Sequence, residues 1–375
     1  MVYLDCNATT PLEPKVEQIV VQYMSTDFGN AGSRTHEYGL RAKQAVQKAR
    51  EQIADVIDAE KDEIIFTSGA TESNNLAILG LADFGIESGK KHIISTQIEH
   101  KAVLEPLQIL EQKGFEITLI PPNKNGWVNP QEIKNALRED TLLVSVMHVN
   151  NETGIIQPIT EIANVLGACN TFFHVDAAQS FGKIIDTLLI KRIDLISVSA
   201  HKIFGPKGVG CLITRKREYD RLPLQPLMFG GGQERKLRPG TLPVHLIVGF
   251  GLAAELAKKN CKIRRKNCEL FRKNALSMLK PLNPLVNGEE NLIMSHVLNI
   301  SFPGVDNEAL MVALKDIIAI SNGSACTSHS YTPSHVLQAM QLPEEVIKGT
   351  VRISWCHMTE QPDWDQVVTT IRSFL

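Results

Sequence analysis

The sequence lacks the features that would place this chain in several large classes of protein. Lysine and arginine total 39 against 41 acidic residues, so no basic excess marks a surface for nucleic acid or an anionic membrane. No apolar run approaches the roughly 20 residues that span a bilayer. Residues 1–7 show no basic segment followed by an apolar core, as a signal peptide would. We therefore expect a cytoplasmic protein that contacts neither membrane nor, directly, nucleic acid.

Cysteine is present, but in no pattern that indicates a structural bond or a metal site. The chain has seven cysteines, an odd number, and no Cys-x-x-Cys pair. Both observations argue against a disulfide framework and against a zinc site. We therefore expect reduced thiols and no bound metal.

Short apolar segments alternate with helical segments through the first part of the chain. Apolar or β-branched runs predict strands over residues 63–67, 92–96, 117–120, 142–148, 172–175 and 195–199. Such runs are typical of strands covered on both faces, and the helices between them predict a mostly parallel sheet. Residues 209–214 predict a seventh strand, antiparallel because its connection is short. A long helical segment over 246–280 then leads to a smaller domain that mixes strands and helices.

Polar groups follow the ends of the first two predicted strands, where ligands bind in open parallel sheets. A turn of small residues around Ala70 and Thr71 opens a helix and can bind an anion, although it also fits an ordinary helix cap. It is not a Walker loop, because the Gly-Lys-Ser/Thr ending is missing. His100 follows the second strand and is either a structural histidine or a group that stacks on a ring or moves protons.

Three further strand ends carry groups that complement the first two. Asn151 offers an amide, and Asp176 is a carboxylate whose burial requires a partner such as a protonated ring nitrogen. Lys202 stands beside His201 under a glycine-rich turn; alone it fits a solvated strand cap, but it can also form a Schiff base with a carbonyl cofactor. Together the five strand ends match the phosphate, ring face, phenolic oxygen, ring nitrogen and aldehyde of pyridoxal phosphate. The sequence therefore predicts a pyridoxal phosphate site.

Six motifs surround these residues and extend beyond them. They are Thr67-Ser-Gly-Ala-Thr-Glu-Ser-Asn, Glu99-His-Lys-Ala-Val, Met147-His-Val-Asn-Asn-Glu, His174-Val-Asp-Ala-Ala-Gln, Ser199-Ala-His-Lys-Ile-Phe-Gly-Pro-Lys-Gly and Gly240-Thr-Leu-Pro-Val. They resemble the motifs of the cysteine desulfurases of the class V aminotransferase group. Residues 321–328, Ser-Asn-Gly-Ser-Ala-Cys-Thr-Ser, are similar to the active loop of the bacterial members with a long mobile cysteine loop.

This resemblance covers nearly the whole chain and implies an architecture. It implies the α/β fold of type I pyridoxal phosphate-dependent transferases, with a mostly parallel seven-stranded sheet and a smaller α+β C-terminal domain. The large domain is expected over residues 15–257 and the small domain over 258–375. Residues 1–14 are expected to pack with the small domain, which carries the cysteine loop.

The resemblance also implies a role for each matching residue. Lys202 bonds to the cofactor, Asp176 keeps its ring nitrogen protonated, and His100 stacks on the ring and transfers protons. The other cofactor contacts are assigned to Ala70, Thr71, Asn151, Gln179, Ser199 and His201, and to Thr241 from the partner subunit of a homodimer. The substrate carboxylate is assigned to Arg352, with Asn30 and Asn151 beside it.

The implied reaction converts L-cysteine to L-alanine and leaves the sulfur on Cys326 as a persulfide. A free cysteine has a pKa of about 8.5, so Cys326 has to be deprotonated at the site, by the substrate or by His100. The small neighbours Gly323, Ser324 and Ala325 let the loop move from the cofactor to a sulfur-acceptor protein.

Two departures from the family pattern bear on the pathway. The run after Arg352 is Cys-His-Met-Thr, where the family has a Gly-Arg-Phe-Thr-like run, and this changes the rim beside the arginine. The chain ends at Leu375, whereas the housekeeping iron–sulfur desulfurases carry a further tail that docks their scaffold protein. A dedicated pathway is therefore expected: tRNA thiolation, nitrogenase clusters or DNA phosphorothioation. Residues 29–39 and the turn at 238–241 favour phosphorothioation, with any DNA contact made through partners.

Two alternatives stay open at the level of sequence. The nearer one is another class V enzyme, such as a selenocysteine lyase or an aminotransferase, which does not need Cys326. The other is a non-catalytic sulfur-relay or scaffold subunit, against which the intact Lys202, Asp176, His100 and Arg352 argue.

Overall fold

The computed structural model describes residues 1–217, 220–323 and 333–375, and its strands follow the predicted pattern. The strands are β1 (Val2–Tyr3), β2 (Ile64–Thr67), β3 (His92–Thr96), β4 (Glu116–Ile120), β5 (Thr141–Met147), β6 (Phe172–Asp176), β7 (Leu195–Ser199), β8 (Gly210–Thr214), β9 (Leu285–Val286), β10 (Val297–Ser301), β11 (Ile318–Ala319) and β12 (Thr350–Ser354). The helices are α1 (Pro14–Ser25), α2 (Glu37–Val56), α3 (Ala70–Leu79), α4 (Ala82–Glu87), α5 (Lys101–Gln112), α6 (Pro130–Ala136), α7 (Ile159–Leu166), α8 (Val244–Leu279), α9 (Asn307–Leu314), α10 (His335–Ala339), α11 (Glu344–Lys348) and α12 (Trp364–Arg372).

The large sheet has seven strands in the order β2-β8-β7-β6-β5-β3-β4. Strand β8 runs antiparallel to both β2 and β7, and the other pairs are parallel. Strands β2, β3, β5, β6 and β7 are buried along their whole length, because helices cover both faces of the sheet. The predicted mostly parallel seven-stranded α/β fold is confirmed.

The smaller part of the molecule is an α+β layer. Strands β9, β10 and β12 form an antiparallel sheet in the order β12-β10-β9, and β1 pairs in parallel with β11. Its core includes Leu4, Phe302 and Trp355, so the start of the chain packs with residues that lie far along it.

Helix α8 joins the two parts without a break over 36 residues. Its first half, up to Ala257, packs into the core of the large sheet, and from Cys268 onward it packs into the smaller core. The division at residue 257, which stays a prediction, would therefore fall inside a continuous helix. Within the described residues, no helix has the length and apolar character that crossing a membrane requires.

Candidate active site

The carboxyl ends of five strands of the large sheet open into one cavity of about 610 Å³. The predicted site residues that line it are Ala70, Thr71, His100, Asn151, Asp176, Gln179, Ser199, His201, Lys202 and Arg352. Parallel strands end at the same edge of the sheet, which is why residues far apart in sequence meet here.

The N-terminus of α3 forms one wall of this cavity. Gly69 precedes the helix and makes no side-chain cap, so the first backbone N–H groups and the helix dipole remain available to an anion. Gly210 of β8 closes on this turn: a β-carbon there would lie 2.6 Å from Gly69 Cα and collide with the carbonyl of Val198. Lys207 adds a positive charge to the cavity lining. These features suit a phosphate group.

Asp176 ends β6 with its carboxylate buried and oriented by two donors. The side-chain amide of Asn74 donates to Oδ2 at 2.7 Å, and the backbone N–H of Ala178 donates to Oδ1 at 2.9 Å. Asn74 lies on α3 one turn after Ala70, on the helix face that meets the sheet. A carboxylate held in this way can accept a further hydrogen bond from an N–H group of a ligand in the cavity.

Lys202 follows β7 and its amine is held by the N-terminal arm. Nζ donates to the carbonyl of Asn7 and, at 2.8 Å, to that of Ala8. Gln179 Nε2 also donates to the carbonyl of Asn7, at 3.0 Å, while Gln179 Oε1 and Asn7 Oδ1 are buried without a partner. Buried polar atoms that lack hydrogen-bond partners at a cavity wall indicate that a polar ligand supplies the missing hydrogen bonds.

His100 caps α5 with its ring. The backbone N–H of Ala102 donates to Nδ1 at 3.0 Å, so this nitrogen is unprotonated and Nε2 carries the proton of the neutral ring. Burial lowers the pKa of His100, with a further lowering from the charge of Lys202 and an opposing effect of Asp176. His201, bonded through Nδ1 to the hydroxyl of Thr9 at 3.1 Å, has its pKa lowered to about 4 by burial and then by Lys202.

Arg352 of β12 reaches the same cavity from the smaller part of the molecule. Its Nη1 donates to the carbonyl of Asn151 at 2.9 Å, and its Nη2 forms an ion pair with Asp5 at 2.6 Å. Its Nε is buried and has no partner. The guanidinium is thus fixed in place with one donor unused.

Three predicted site residues are not among those that line the cavity. Asn30 is exposed and uses its side chain to accept a hydrogen bond from Gly32, in a loop outside the cavity. Thr241 is exposed as well, outside the cavity of its own chain. Cys326 lies outside the described residues, but Gly323, three positions before it, lines the cavity.

Sequence reasoning missed four groups that the structure brings to the site: Asp5, Asn7, Asn74 and Lys207. Asn74 had a signal, since it follows Ala70 by one helical turn and so shares its face. Asp5 and Asn7 lie in an arm that carries no periodic pattern, and their partners are 347 and 195 positions away.

The residues present fit pyridoxal phosphate. The cavity offers an anion site at α3, a buried carboxylate for a ring nitrogen, an amine on Lys202, and unpaired amide oxygens on Gln179 and Asn7. All of these groups except Asn7 follow the end of a strand of the large sheet, as the sequence analysis predicts.

Comparisons with known proteins agree with this site. The sequence model of the family described as Aminotransferase class-V matches residues 2–367. The cysteine desulfurase IscS of Vibrio campbellii is 48% identical over 374 residues, covering 99% of this chain and 92% of that protein. The solved structure of DndA from Streptomyces lividans is 51% identical, with a TM-score of 0.83, and covers 93% of this chain and 98% of that chain.

A further solved structure, SspA in complex with cysteine, is 37% identical, with a TM-score of 0.83 over 94% of this chain and 98% of that chain. Members of the matched family that are cysteine desulfurases use pyridoxal 5'-phosphate. The family match over almost the full length, together with these identities, shows that the chain belongs to the class-V aminotransferase family, among its pyridoxal phosphate-dependent cysteine desulfurases.

Proposed function

We propose that this chain converts L-cysteine to L-alanine and passes the sulfur, as a persulfide on Cys326, to an acceptor protein. The observation that carries the proposal is the convergence of Lys202, Asp176, His100 and Arg352 on one cavity that Gly323 also lines. Cysteine as the substrate is supported by the cysteine-bound SspA structure and by the desulfurase relatives.

Pyridoxal phosphate, when bound, supplies an electron sink for the substrate α-carbon. The chain's own groups would hold it: the N-terminus of α3 with Ser199 and His201 at the phosphate, and Asp176 at the ring nitrogen. Asn74 keeps Asp176 oriented, and the neutral His100 ring lies against the cofactor's face. Thr241 of a second subunit would add a contact at the phosphate.

Arg352 would bind the substrate carboxylate through its unused Nε, while Asp5 and the carbonyl of Asn151 keep the guanidinium in position. Lys202 Nζ would then take the proton from the substrate α-carbon. The thiolate of Cys326 would attack the substrate sulfur, so that the S–S bond forms as the C–S bond breaks. The β-carbon would take the proton that Cys326 gave up, the α-carbon would regain its proton from Lys202, and alanine would leave.

The position of Cys326 in the chain is compatible with this attack. Gly323, which stands three positions before Cys326 in the sequence, lies at the cavity wall. Pro333, the next described residue after this segment, lines an adjoining pocket beside His100 and Ser334. Both ends of the segment are thus fixed next to the cavity.

A homodimer remains part of the proposal. Thr241 needs a second subunit to reach a cofactor, and the neighbouring residues Leu227, Met228 and Phe229 are exposed apolar side chains. Contiguous apolar surface of this kind suits a subunit interface. DNA phosphorothioation as the pathway rests on the resemblance of residues 29–39 and 238–241, and it stays a prediction.

The reaction is tested with purified holoprotein and L-cysteine under anaerobic conditions, with alanine quantified and the persulfide located by mass spectrometry. We expect stoichiometric alanine and sulfur on Cys326, with both lost in Cys326→Ala. Cys169→Ala, which removes an exposed thiol elsewhere, is the matched control and should retain both. Equal alanine formation by Cys326→Ala would reject this thiol as the nucleophile and favour a lyase or an aminotransferase.

A further inference from the structure

A second cavity, of about 290 Å³, lies on the other side of the N-terminal arm. Among the described residues it shares no lining residue with the active-site cavity. Two buried thiols, Cys6 and Cys356, form part of its wall, together with Lys183, His296 and Arg264. The function proposed above uses none of these groups.

The two side chains belong to one small buried cluster, together with Phe204, and each thiol shifts the pKa of the other. The backbone brings them together, since Cys6 N–H donates to the carbonyl of Ser354 at 3.0 Å and Cys356 follows Ser354 by two residues. The hydroxyl of Thr359 also donates to Cys356 Sγ, at 3.4 Å. A disulfide needs two Cα atoms within about 7 Å of each other, and neighbouring chain segments such as these, which are bridged at Asp5 and Ser354, can supply that spacing.

The surroundings favour a thiolate on Cys356. Interaction with the Cys6 thiol lowers the pKa of Cys356, burial opposes this effect, and the hydroxyl of Thr359 and the N–H of Met358 lower the pKa further. The pKa of Cys6 is raised, first by its hydrogen bond to Cys356 and then by burial. Cys356, whose Sγ accepts the hydrogen bond from Thr359, is therefore assigned as the thiol that reacts first.

Lys183 provides the positive charge of this cluster. Its side chain is half-buried, and no carboxylate among the residues that the structure describes forms an ion pair with it; its Nζ lies 3.3 Å from His296 Nε2. Burial lowers its pKa to about 8, and the nearby thiols oppose that effect. An ammonium that has no carboxylate partner is stabilised by a neighbouring thiolate, and a cysteine beside such a cation is the kind that oxidises readily.

We propose that Cys356 and Cys6 form a reversible disulfide when a hydroperoxide diffuses into this cavity. The Cys356 thiolate attacks the terminal peroxide oxygen, the O–O bond breaks, and a sulfenic acid forms as hydroxide leaves from hydrogen peroxide, or an alkoxide from an organic hydroperoxide. The Cys6 sulfur then attacks the sulfenic sulfur, the S–S bond forms, and the leaving hydroxyl takes the Cys6 proton as water. Two thiols lose two electrons in total and one peroxide is reduced.

The bond would connect two segments that also build the active site. Cys6 stands between Asp5, the ion-pair partner of Arg352, and Asn7, whose carbonyl accepts from Lys202. Cys356 follows β12, which carries Arg352. A bond between Cys6 and Cys356 would therefore constrain both the strand that carries Arg352 and the arm that carries its partner Asp5.

The experiment uses the holoprotein with Cys326→Ala, which removes the thiol expected to be most reactive. The protein is treated with hydrogen peroxide, free thiols are alkylated, and tryptic peptides are identified by mass spectrometry. Cleavage gives peptide 1–15, which contains Cys6, and peptide 353–372, which contains Cys356. We expect these two peptides to be linked, two thiols to be lost, and dithiothreitol to restore both.

Further variants separate this proposal from general oxidation of buried thiols. Adding Cys6→Ser or Cys356→Ser should abolish the linkage, whereas adding Cys211→Ser, a buried thiol in β8, should leave it unchanged. Circular dichroism checks that each variant is folded. The proposal is overturned if both thiols remain reduced while other cysteines oxidise, if Cys356 links to Cys268, or if Cys356 proceeds to a sulfinic acid while Cys6 is present.

Discussion

At the scale of single residues, Asp5 positions the guanidinium of Arg352, the group proposed to bind the substrate carboxylate. It holds the Nη2 of Arg352 at 2.6 Å, leaving Nε for the substrate. We predict that Asp5→Ala raises the KM for L-cysteine by about tenfold or more and lowers kcat less, because a charge-assisted hydrogen bond of about 1.5–3 kcal/mol is lost from the positioning of the guanidinium. Steady-state kinetics of the holoenzyme measure this split.

Asp5→Asn keeps an oxygen that can accept from Arg352 and should recover part of the lost affinity. An equal fall in kcat for both variants, with KM unchanged, would contradict a positioning role.

Glu99 precedes His100 and is fully buried, and burial raises its pKa to about 8. In the unfolded chain the carboxyl ionises near its ordinary value, so between about pH 4.5 and pH 8 the folded state binds more protons. The free energy of unfolding therefore falls across this window as pH rises, by roughly a few kcal/mol from this group. We predict that Glu99→Gln flattens this fall, measured by chemical unfolding from pH 5 to pH 8.

Glu111→Gln is the control for that series, because Glu111 is an exposed residue on the helix that follows. A pH dependence unchanged in Glu99→Gln would show that Glu99 is ionised in the folded protein.

The residues at strand ends were predictable, and those held by long-range pairing were not. Lys202, Asp176 and His100 each follow a buried apolar strand, so their positions at the sheet edge follow from the strand pattern alone. The carbonyl of Asn7 accepts a hydrogen bond from Lys202 only because the N-terminal arm passes along the edge of the sheet, and no local sequence pattern predicts that path. Asn30, assigned by resemblance, lies in a separate exposed loop in this chain.

At the scale of elements, a buried ion pair connects α2 to the sheet. Arg50 of α2 pairs with Glu234, and Glu234 Oε2 also accepts from the backbone N–H of Phe66 in β2 at 2.7 Å. We predict that Glu234→Ala lowers the free energy of unfolding by about 3–5 kcal/mol, because Arg50 remains buried without its partner. Chemical denaturation provides the measurement.

The exposed pair Lys61–Glu51 is the matched control for this prediction. Glu51→Ala should leave the unfolding midpoint within error, since solvent screens such pairs. Similar losses in both variants would mean that burial does not set the contribution of Glu234.

Most elements were predicted from the sequence to within a residue or two. Strands β3 and β7 begin and end as expected, because continuous apolar runs have sharp edges. Strands β1, β9 and β11 were missed, since each has two residues and shows no period. They form only because distant segments are brought beside them.

At the scale of the whole molecule, the exposed apolar surface near Thr241 carries a prediction about assembly. Phe229 is 89% exposed, the largest fraction among its exposed apolar neighbours Leu227 and Met228. We predict that Phe229→Ser shifts the proposed dimer toward monomer and weakens retention of the cofactor, because the proposed contact of Thr241 with the cofactor of a second subunit is then lost. Sedimentation velocity and cofactor absorbance measure the two effects.

Ile263→Ser, which changes an exposed apolar residue on α8, is the control and should leave the assembly unchanged. A wild-type protein that sediments as a monomer at micromolar concentration would contradict the dimer.

The long span between the partners in the arm also affects how the protein is made. Asp5 can form its ion pair only after Arg352, 347 positions later, has been synthesised, and the strand Val2–Tyr3 can pair only after Ile318–Ala319. The seven strands of the large sheet can therefore fold on the ribosome well before Arg352, which is expected to bind the substrate, has been synthesised. Nascent chains of this protein should stay unable to bind L-cysteine until Arg352 has emerged from the ribosome, because only then can Asp5 orient its guanidinium.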